Sequence, residues 1–221
     1  MVTFSDDPYL DVRLTTDYDA LTAHLKELKT SGSTAIGKGM LTAISHFIEI
    51  NILELDGASD PRIAELQIKL QKGGLGKALE YIKANPDLTE KALRPDRKKI
   101  MVVFSDGESN SGIPPVEAAQ IVKTLNEEYG FGARVYSVGI APKDGYGGGF
   151  DETTMQQIAD LTGGKFFRAG DAERMKEVLL EISKLEKSPT QLVSTLTVNE
   201  YQNLLALLAF LMLAMEVGLS S

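Results

Sequence analysis

The run IMVVF, Ile100 to Phe104, constrains the fold of this chain more than any other stretch. It is apolar at every position, with lysines before it and Ser105-Asp106-Gly107 after it. A strand of that kind expects cover on both faces, as in the interior of a parallel sheet. The following residues keep the same rhythm. Residues 114–129 read as a helix with proline in its first turn, and 135–140 as a strand. Residues 152–161 read as a helix stopped by Gly163-Gly164, 165–168 as a short strand and 172–185 as a helix. Upstream, residues 1–5 read as the end of a strand, and 17–28 as a helix capped by Thr16 or Asp17. Residues 35–50 form a second helical pattern whose apolar face is Ile36, Met40, Ile44, Phe47 and Ile48. Strands alternating with helices predict an α/β fold with a doubly wound, mainly parallel sheet. Ligands of such sheets sit at the carboxyl ends of the strands.

Three stretches interrupt the alternation. Residues 51–98 carry two helical patterns, near 63–70 and 75–82, separated by Gly73-Gly74; they read as a helical insertion within a domain spanning 1–187. GYGGG, residues 145–149, reads as a flexible linker. Past a connector at 188–202, LLALLAFLMLAM runs unbroken from Leu204 to Met215, and Val217 to Leu219 extend it beyond Glu216. A membrane span takes roughly 20 apolar residues. The segment is short, but it is leucine-rich, apolar all round and led in by Tyr201, so 203–219 is expected to be a single transmembrane helix. The competing expectation is a buried C-terminal helix.

Composition removes several function classes. The formal net charge is −8 and the basic residues are scattered, which argues against nucleic acid as a partner. There is no cysteine, hence no disulfide or thiolate chemistry. His24 and His46 both fall in helical patterns and are expected to be helix-surface or half-buried residues rather than members of a metal cluster or catalytic triad. GSTAIGKG, Gly32 to Gly39, comes within one residue of a nucleotide phosphate loop. That loop needs Ser or Thr after Gly-Lys to hold Mg²⁺, and Gly39 stands there instead. A helical pattern, not a buried strand, precedes it.

Two residues remain as candidates. Asp106 follows the apolar strand directly, which holds its carboxylate at the rim of the sheet, although Asp-Gly also favours a simple turn. Thr34 stands at the start of the next-to-first helix, where its hydroxyl either caps the helix or faces a neighbouring loop. A hydroxyl and a carboxylate are hard oxygen donors suited to Mg²⁺.

MVTFSDDPYLDVRLTTDYDAL, GSTAIGKGMLTAI, KKIMVVFSDGESNSG, ARVYSVGIA and LTGGKFFRAGDAERMKEVLLEI, in that order, resemble a von Willebrand factor type A domain. More narrowly, they are similar to the bacterial membrane-anchored, aerotolerance (Bat-type) kind. The resemblance covers residues 1 to about 187 apart from 51–98. It implies a protein-interaction module, not an enzyme, that binds Mg²⁺ or Mn²⁺ at an adhesion-type site built from three loops. Thr34 matches the second loop and Asp106 the third; the Asp-x-Ser-x-Ser of the first loop has no counterpart. The resemblance therefore implies that the first strand and helix are missing, with metal binding weak or absent in consequence. It also implies partners among membrane-anchored proteins of the same operon and a MoxR-type AAA ATPase, and a periplasmic domain on the inner membrane. Rival expectations are a Mg²⁺-dependent phosphatase or nucleotide hydrolase using Asp106, and a fragment that binds no metal. With one strand absent, residues 1–5 are expected to pair directly with 100–104, Val2 and Phe4 meeting Val102 and Phe104.

Overall fold

A computed structural model describes residues 1–17, 19–20, 23–24, 33–55, 60–140 and 151–186. The chain divides into two units, residues 1–178 and 179–221. In the first, a hairpin of β1 (Val2–Phe4) and β2 (Pro8–Leu10) precedes helix α1 (Ile36–Leu53), helix α2 (Pro61–Ala84), a 3₁₀ turn (Pro86–Leu88) and the short helix α3 (Thr89–Leu93). Strand β3 (Lys99–Ser105), helix α4 (Pro115–Tyr129), strand β4 (Ala133–Ile140), helix α5 (Glu152–Thr162) and strand β5 (Phe166–Ala169) follow. Helix α6 (Ala172–Glu186) starts in the first unit and its last residues belong to the second.

Strands β3, β4 and β5 form one parallel sheet in that order, with Lys99 opposite Ala133 and Ser137 opposite Phe166. Parallel strands joined by helices are the α/β architecture the alternation predicts. The layer on one side is continuous: α1 packs on α4, α4 on α5, and α5 on β4 and β5. Central β4 is buried at five consecutive positions, Val135 to Gly139, as a strand covered on both faces must be. Strand β3 behaves differently. Its burial alternates, and Phe104 is 36% exposed, so the all-apolar run is covered well on one face only. The cause is its place at the sheet edge.

The expected pairing of residues 1–5 with 100–104 does not occur. Strand β1 pairs antiparallel with β2 instead, Thr3 opposite Tyr9, in a sheet separate from β3. A local hairpin closes only a short loop, so its entropic cost is far below that of a pairing across nearly a hundred residues. The hairpin then docks on α1. A Cβ at Gly39 would stand 2.7 Å from the Phe4 ring, so the missing side chain is what lets the ring lie on the helix backbone.

Within the stretch read as a helical insertion, α2, the 3₁₀ turn and α3 join the main core. Ile63, Leu66, Leu70, Ala78 and Ile82 of α2 are buried in the same cluster as Ile44 and Ile48. Gly74, at φ 70° and ψ −172°, breaks the helix where the glycine pair separates the two patterns. Buried Asn51 donates to the Ala92 carbonyl at 2.9 Å, tying α1 to α3. Lys99 closes this corner: its ammonium donates to the carbonyls of Arg94, Arg97 and Phe131 at 2.8–2.9 Å and lies 4.5 Å from the Phe131 ring centre. Burial lowers its pKa to about 8, so the ammonium is still charged at neutral pH.

The sequence reading of most of 17–28 as a helix, of 145–149 as a linker, and of 188–219 as connector and membrane segment lies outside the described residues. Among the described residues no helix is long and apolar enough to cross a membrane.

Candidate functional site

The loop that carries Asp106 and the segment that carries Thr34 come together at the carboxyl end of β3. The turn after the strand is made by Ser105, not by Asp106. The buried Ser105 hydroxyl donates to the Gly107 carbonyl at 2.9 Å and accepts from the Gly107 N–H at 3.3 Å. That leaves the Asp106 carboxylate exposed and uninvolved in the turn.

Thr34 does not cap α1. The cap position is Ala35, without a side-chain hydrogen bond, so the capping role open to Thr34 in the sequence is not taken up. The loop after β3 holds Thr34 by its backbone instead. Its N–H donates to Asn110 Oδ1 at 2.8 Å, and its carbonyl accepts from the Asn110 N–H at 3.0 Å and from the Ser109 hydroxyl at 3.2 Å. The Thr34 hydroxyl consequently lies beside the Asp106-Gly107 turn, 3.6 Å from where a Cβ on Gly107 would stand. The two loops are also pressed together by Gly37. A Cβ there would be 2.2 Å from the Ile113 carbonyl oxygen, so only glycine lets α1 begin this close to the Asp106 loop. Neither Ser109, Asn110 nor Gly37 is singled out by the sequence reading. The density of polar residues in ESNS was the one available signal, and it marks a loop without revealing what it grips.

A third loop approaches from the hairpin. The Ser33 hydroxyl donates to Asp6, and Lys38 donates to the Asp6 carbonyl at 2.9 Å and to Asp7 Oδ1 at 2.8 Å. Asp6 and Asp7 thus stand beside Lys38, which is paired with Asp7.

Both histidines lie away from this loop cluster. His24 Nε2 is 3.7 Å from Asp11 Oδ1, and His46 Nδ1 is 3.1 Å from Glu49 Oε2. His46 is only 7% exposed, more deeply buried than its place in a surface-helix pattern suggests. Among the described residues no group of three His, Asp or Glu side chains is placed to hold a metal ion. Thr34 and Asp106 supply two oxygen donors. Mg²⁺ demands near-octahedral coordination and gives up its water reluctantly, so this pair alone does not make a complete metal site.

A parallel α/β sheet with its polar loops gathered at the strand carboxyl ends defines a class of binding domain rather than a particular reaction. The family comparison narrows it: the von Willebrand factor type A domain profile matches residues 60–181. The chain belongs to that family. The match takes in Asp106 and most of the stretch read as an insertion, and it begins after Thr34. A UPF0353 protein of Nocardia farcinica (strain IFM 10152) is 28% identical over 183 residues, covering 80% of this chain and 47% of that protein. The chain thus spans about half the length of the curated relative it matches. Among solved structures, a conserved hypothetical protein BatB of Bacteroides thetaiotaomicron aligns with a TM-score of 0.47 at 20% identity, over 85% of this chain and 78% of that one. An uncharacterized membrane-spanning protein of Vibrio fischeri aligns with a TM-score of 0.36 at 24% identity, over 84% and 74%.

Proposed function

We propose that this chain is a non-catalytic, protein-binding module in which Thr34 and Asp106 are two of the oxygen donors of a Mg²⁺-dependent adhesion-type site. The supporting observation is the clamp on Thr34: its backbone is gripped by Ser109 and Asn110, which sets its hydroxyl beside the Asp106 turn with neither oxygen consumed by capping or turn formation. In a complete site the metal would supply a positive charge able to take a partner's carboxylate. This chain's own part is to hold two donors in fixed relation. The partners are other membrane-anchored proteins of the same type and a MoxR-type ATPase. Residues 203–219 anchor the chain in the inner membrane, with the domain on the periplasmic side.

Titration calorimetry with Mg²⁺ and Mn²⁺ tests the site. Two donors predict an affinity of about millimolar or weaker, abolished by Asp106→Ala. Micromolar binding that survives Asp106→Ala overturns the assignment. Carbonate extraction tests the anchor: the full chain stays with membranes, and deletion of residues 203–221 releases a folded domain. A soluble full chain whose deletion variant unfolds identifies the segment as a core helix instead.

A further inference from the structure

The basic residues are less evenly placed than the sequence reading has them. Residues 61–99 hold ten of the 23 Lys and Arg and five of the 31 Asp and Glu, so they carry +5 while the rest of the chain carries −13. The structure gathers part of that excess at one bend. At Gly74 helix α2 folds back on itself, so that the Tyr81 hydroxyl donates to Glu65 Oε2 at 2.9 Å. A straight helix would hold those two positions roughly 24 Å apart. The Lys69 ammonium lies 5.0 Å from the Tyr81 ring centre, and the stem of Lys77 lies on Gly73, where an added Cβ would stand 2.6 Å from it. Lys69, Lys72 and Lys77 therefore surround the bend, and no acidic residue falls between Glu65 and Glu80. Gln71, Lys72, the three glycines and Lys77 are exposed, and so is Ile68, at 51%.

Arginine and lysine differ here in what they meet. Arg62 is engaged by Asp60 and Asp87, Arg94 by Asp96 and Arg97 by Glu54, all at 2.7–2.8 Å. The cations left at the bend are lysines. Lys69 and Lys77 each meet one exposed glutamate of their own helix, and Lys72 meets none among the described residues. Exposed pairs of that kind hold weakly, so these ammoniums stay open to another anion. The planar fork of arginine matches one carboxylate or phosphate in fixed geometry, whereas lysines on flexible stems beside an exposed isoleucine suit a diffuse anionic surface with an apolar interior. We propose that the α2 bend is a docking surface for the anionic headgroups of a phospholipid bilayer, with Ile68 turned toward the acyl boundary. The remaining −13 is repelled by the same headgroups, which leaves the basic bend as the part of the domain that rests on them. The proposal rests on the anchor reading of 203–219 for bringing the domain to a bilayer; it does not depend on metal binding. The acidic body of a second copy is the competing anionic surface, and the test separates the two.

The chain has no cysteine, so a fluorophore on a single introduced one reports one place. The full chain, labelled at Gln71→Cys or, as a reference on α4, at Glu117→Cys, is mixed with vesicles that carry a nitroxide quencher on the headgroup. The vesicles are of phosphatidylcholine, or of equal parts phosphatidylcholine and phosphatidylglycerol. Quenching at position 71 is expected to be several-fold stronger with phosphatidylglycerol, and quenching at position 117 to be the same in both. Each lysine held near an anionic surface contributes about fivefold, so Lys72→Gln with Lys77→Gln is expected to weaken docking about 25-fold, with the circular dichroism spectrum kept. Equal quenching of position 71 in both vesicles shows apolar contact without charge recognition and overturns the proposal. So does an unquenched position 71 in a chain that carbonate fails to extract, a result that leaves the anchor standing. Phosphatidylglycerol-dependent quenching in a chain that carbonate does extract upholds the docking surface and removes the anchor. A change at position 71 that grows with protein density on phosphatidylcholine alone makes a second copy the occupant and overturns the proposal as well.

Discussion

Gly37→Ala gives the sharpest check on how the two candidate donors are brought together. In an isolated helix this change stabilises, by up to about 1 kcal/mol. Here the new Cβ would lie 2.2 Å from the Ile113 carbonyl oxygen and 2.9 Å from the Ile113 Cγ2. Neither the helix nor a backbone carbonyl can rotate out of the way, so α1 and the loop after β3 must separate by about 1 Å to restore contact distance. Overpacking of that order costs roughly 1–3 kcal/mol. The separation also acts on the Thr34 clamp. Its two backbone-directed bonds with Asn110, at 2.8 and 3.0 Å, lengthen beyond hydrogen-bonding range. Each such bond contributes about 1 kcal/mol. Setting these losses against the helix gain leaves a destabilisation of about 2–4 kcal/mol.

The assay is urea denaturation of Gly37→Ala beside Gly76→Ala. Gly76 sits within α2 with no neighbouring atom within 4 Å of an added Cβ, so the second variant carries the helix gain alone. Hydrogen exchange at Thr34 and Asn110 then reports the clamp directly: faster in Gly37→Ala, unchanged in Gly76→Ala. If Gly37→Ala proves as stable as Gly76→Ala and the Thr34 amide keeps its protection, the close approach of α1 to the Asp106 loop is wrong.

Two further outcomes follow from the buried and capping polar groups. Lys99→Met removes the donor to three carbonyls, including the buried Phe131 oxygen, and keeps a stem of similar length; denaturation should show a loss of about 2–4 kcal/mol. A loss below about 1 kcal/mol means that water reaches those carbonyls. Asp151 caps α5, accepting from the Thr154 N–H at 3.0 Å and hydroxyl at 2.6 Å, and the Thr154 side-chain bond is the main reason its pKa lies below the usual aspartate value. Because the folded pKa is the lower one, the stabilisation is fully present above about pH 4 and fades as pH falls through the folded value. Asp151→Asn keeps a capping oxygen without the charge, so the wild-type advantage should vanish in that acid window, while Asp151→Ala costs about 1 kcal/mol at neutral pH.

Periodic apolar patterns made the helices and the parallel strands legible in the sequence, because burial on a repeating face is a local signal. The glycine pair at 73–74 was legible as a break for the same reason, since only glycine adopts φ 70° with ψ −172° at low cost. What stayed hidden depends on approach between distant segments. Gly37 and Gly39 look like two flaws in a helix until Ile113 and Phe4 are seen against them. Asn110 looks like any loop asparagine, and its grip on Thr34 joins positions 76 residues apart. Thr34 and Asp106 were legible individually as oxygen donors at element ends, and the separation of their roles from capping and turn formation was not. The pairing of β1 was misread because an open edge on β3 suggested a neighbour, whereas the turn at Asp6-Asp7 favoured a hairpin that closes on itself.

That hairpin bears on the candidate site through its anchorage. No backbone bond among the described residues joins it to β3, and its described side-chain bonds beyond the hairpin itself run to α1 and the residue before Thr34. Phe4 lies on Gly39, Asp6 receives the Ser33 hydroxyl and the Lys38 ammonium, and Asp7 receives Lys38 again. Ser33 is the neighbour of Thr34, and Lys38 leads from the same helix end. A load that shifts the hairpin relative to the sheet is therefore delivered to the segment 33–39, which is held on the other side by the clamp to Ser109 and Asn110, by the contacts at Gly112 and Ile113 and by buried Ile36. Since those few bonds are worth only a few kcal/mol together, the Thr34 position is where strain between hairpin and sheet is released first. A shift of the hairpin against the sheet should consequently be felt at the Thr34 amide before it is felt at Asp106, whose turn is tied to β3 through Ser105.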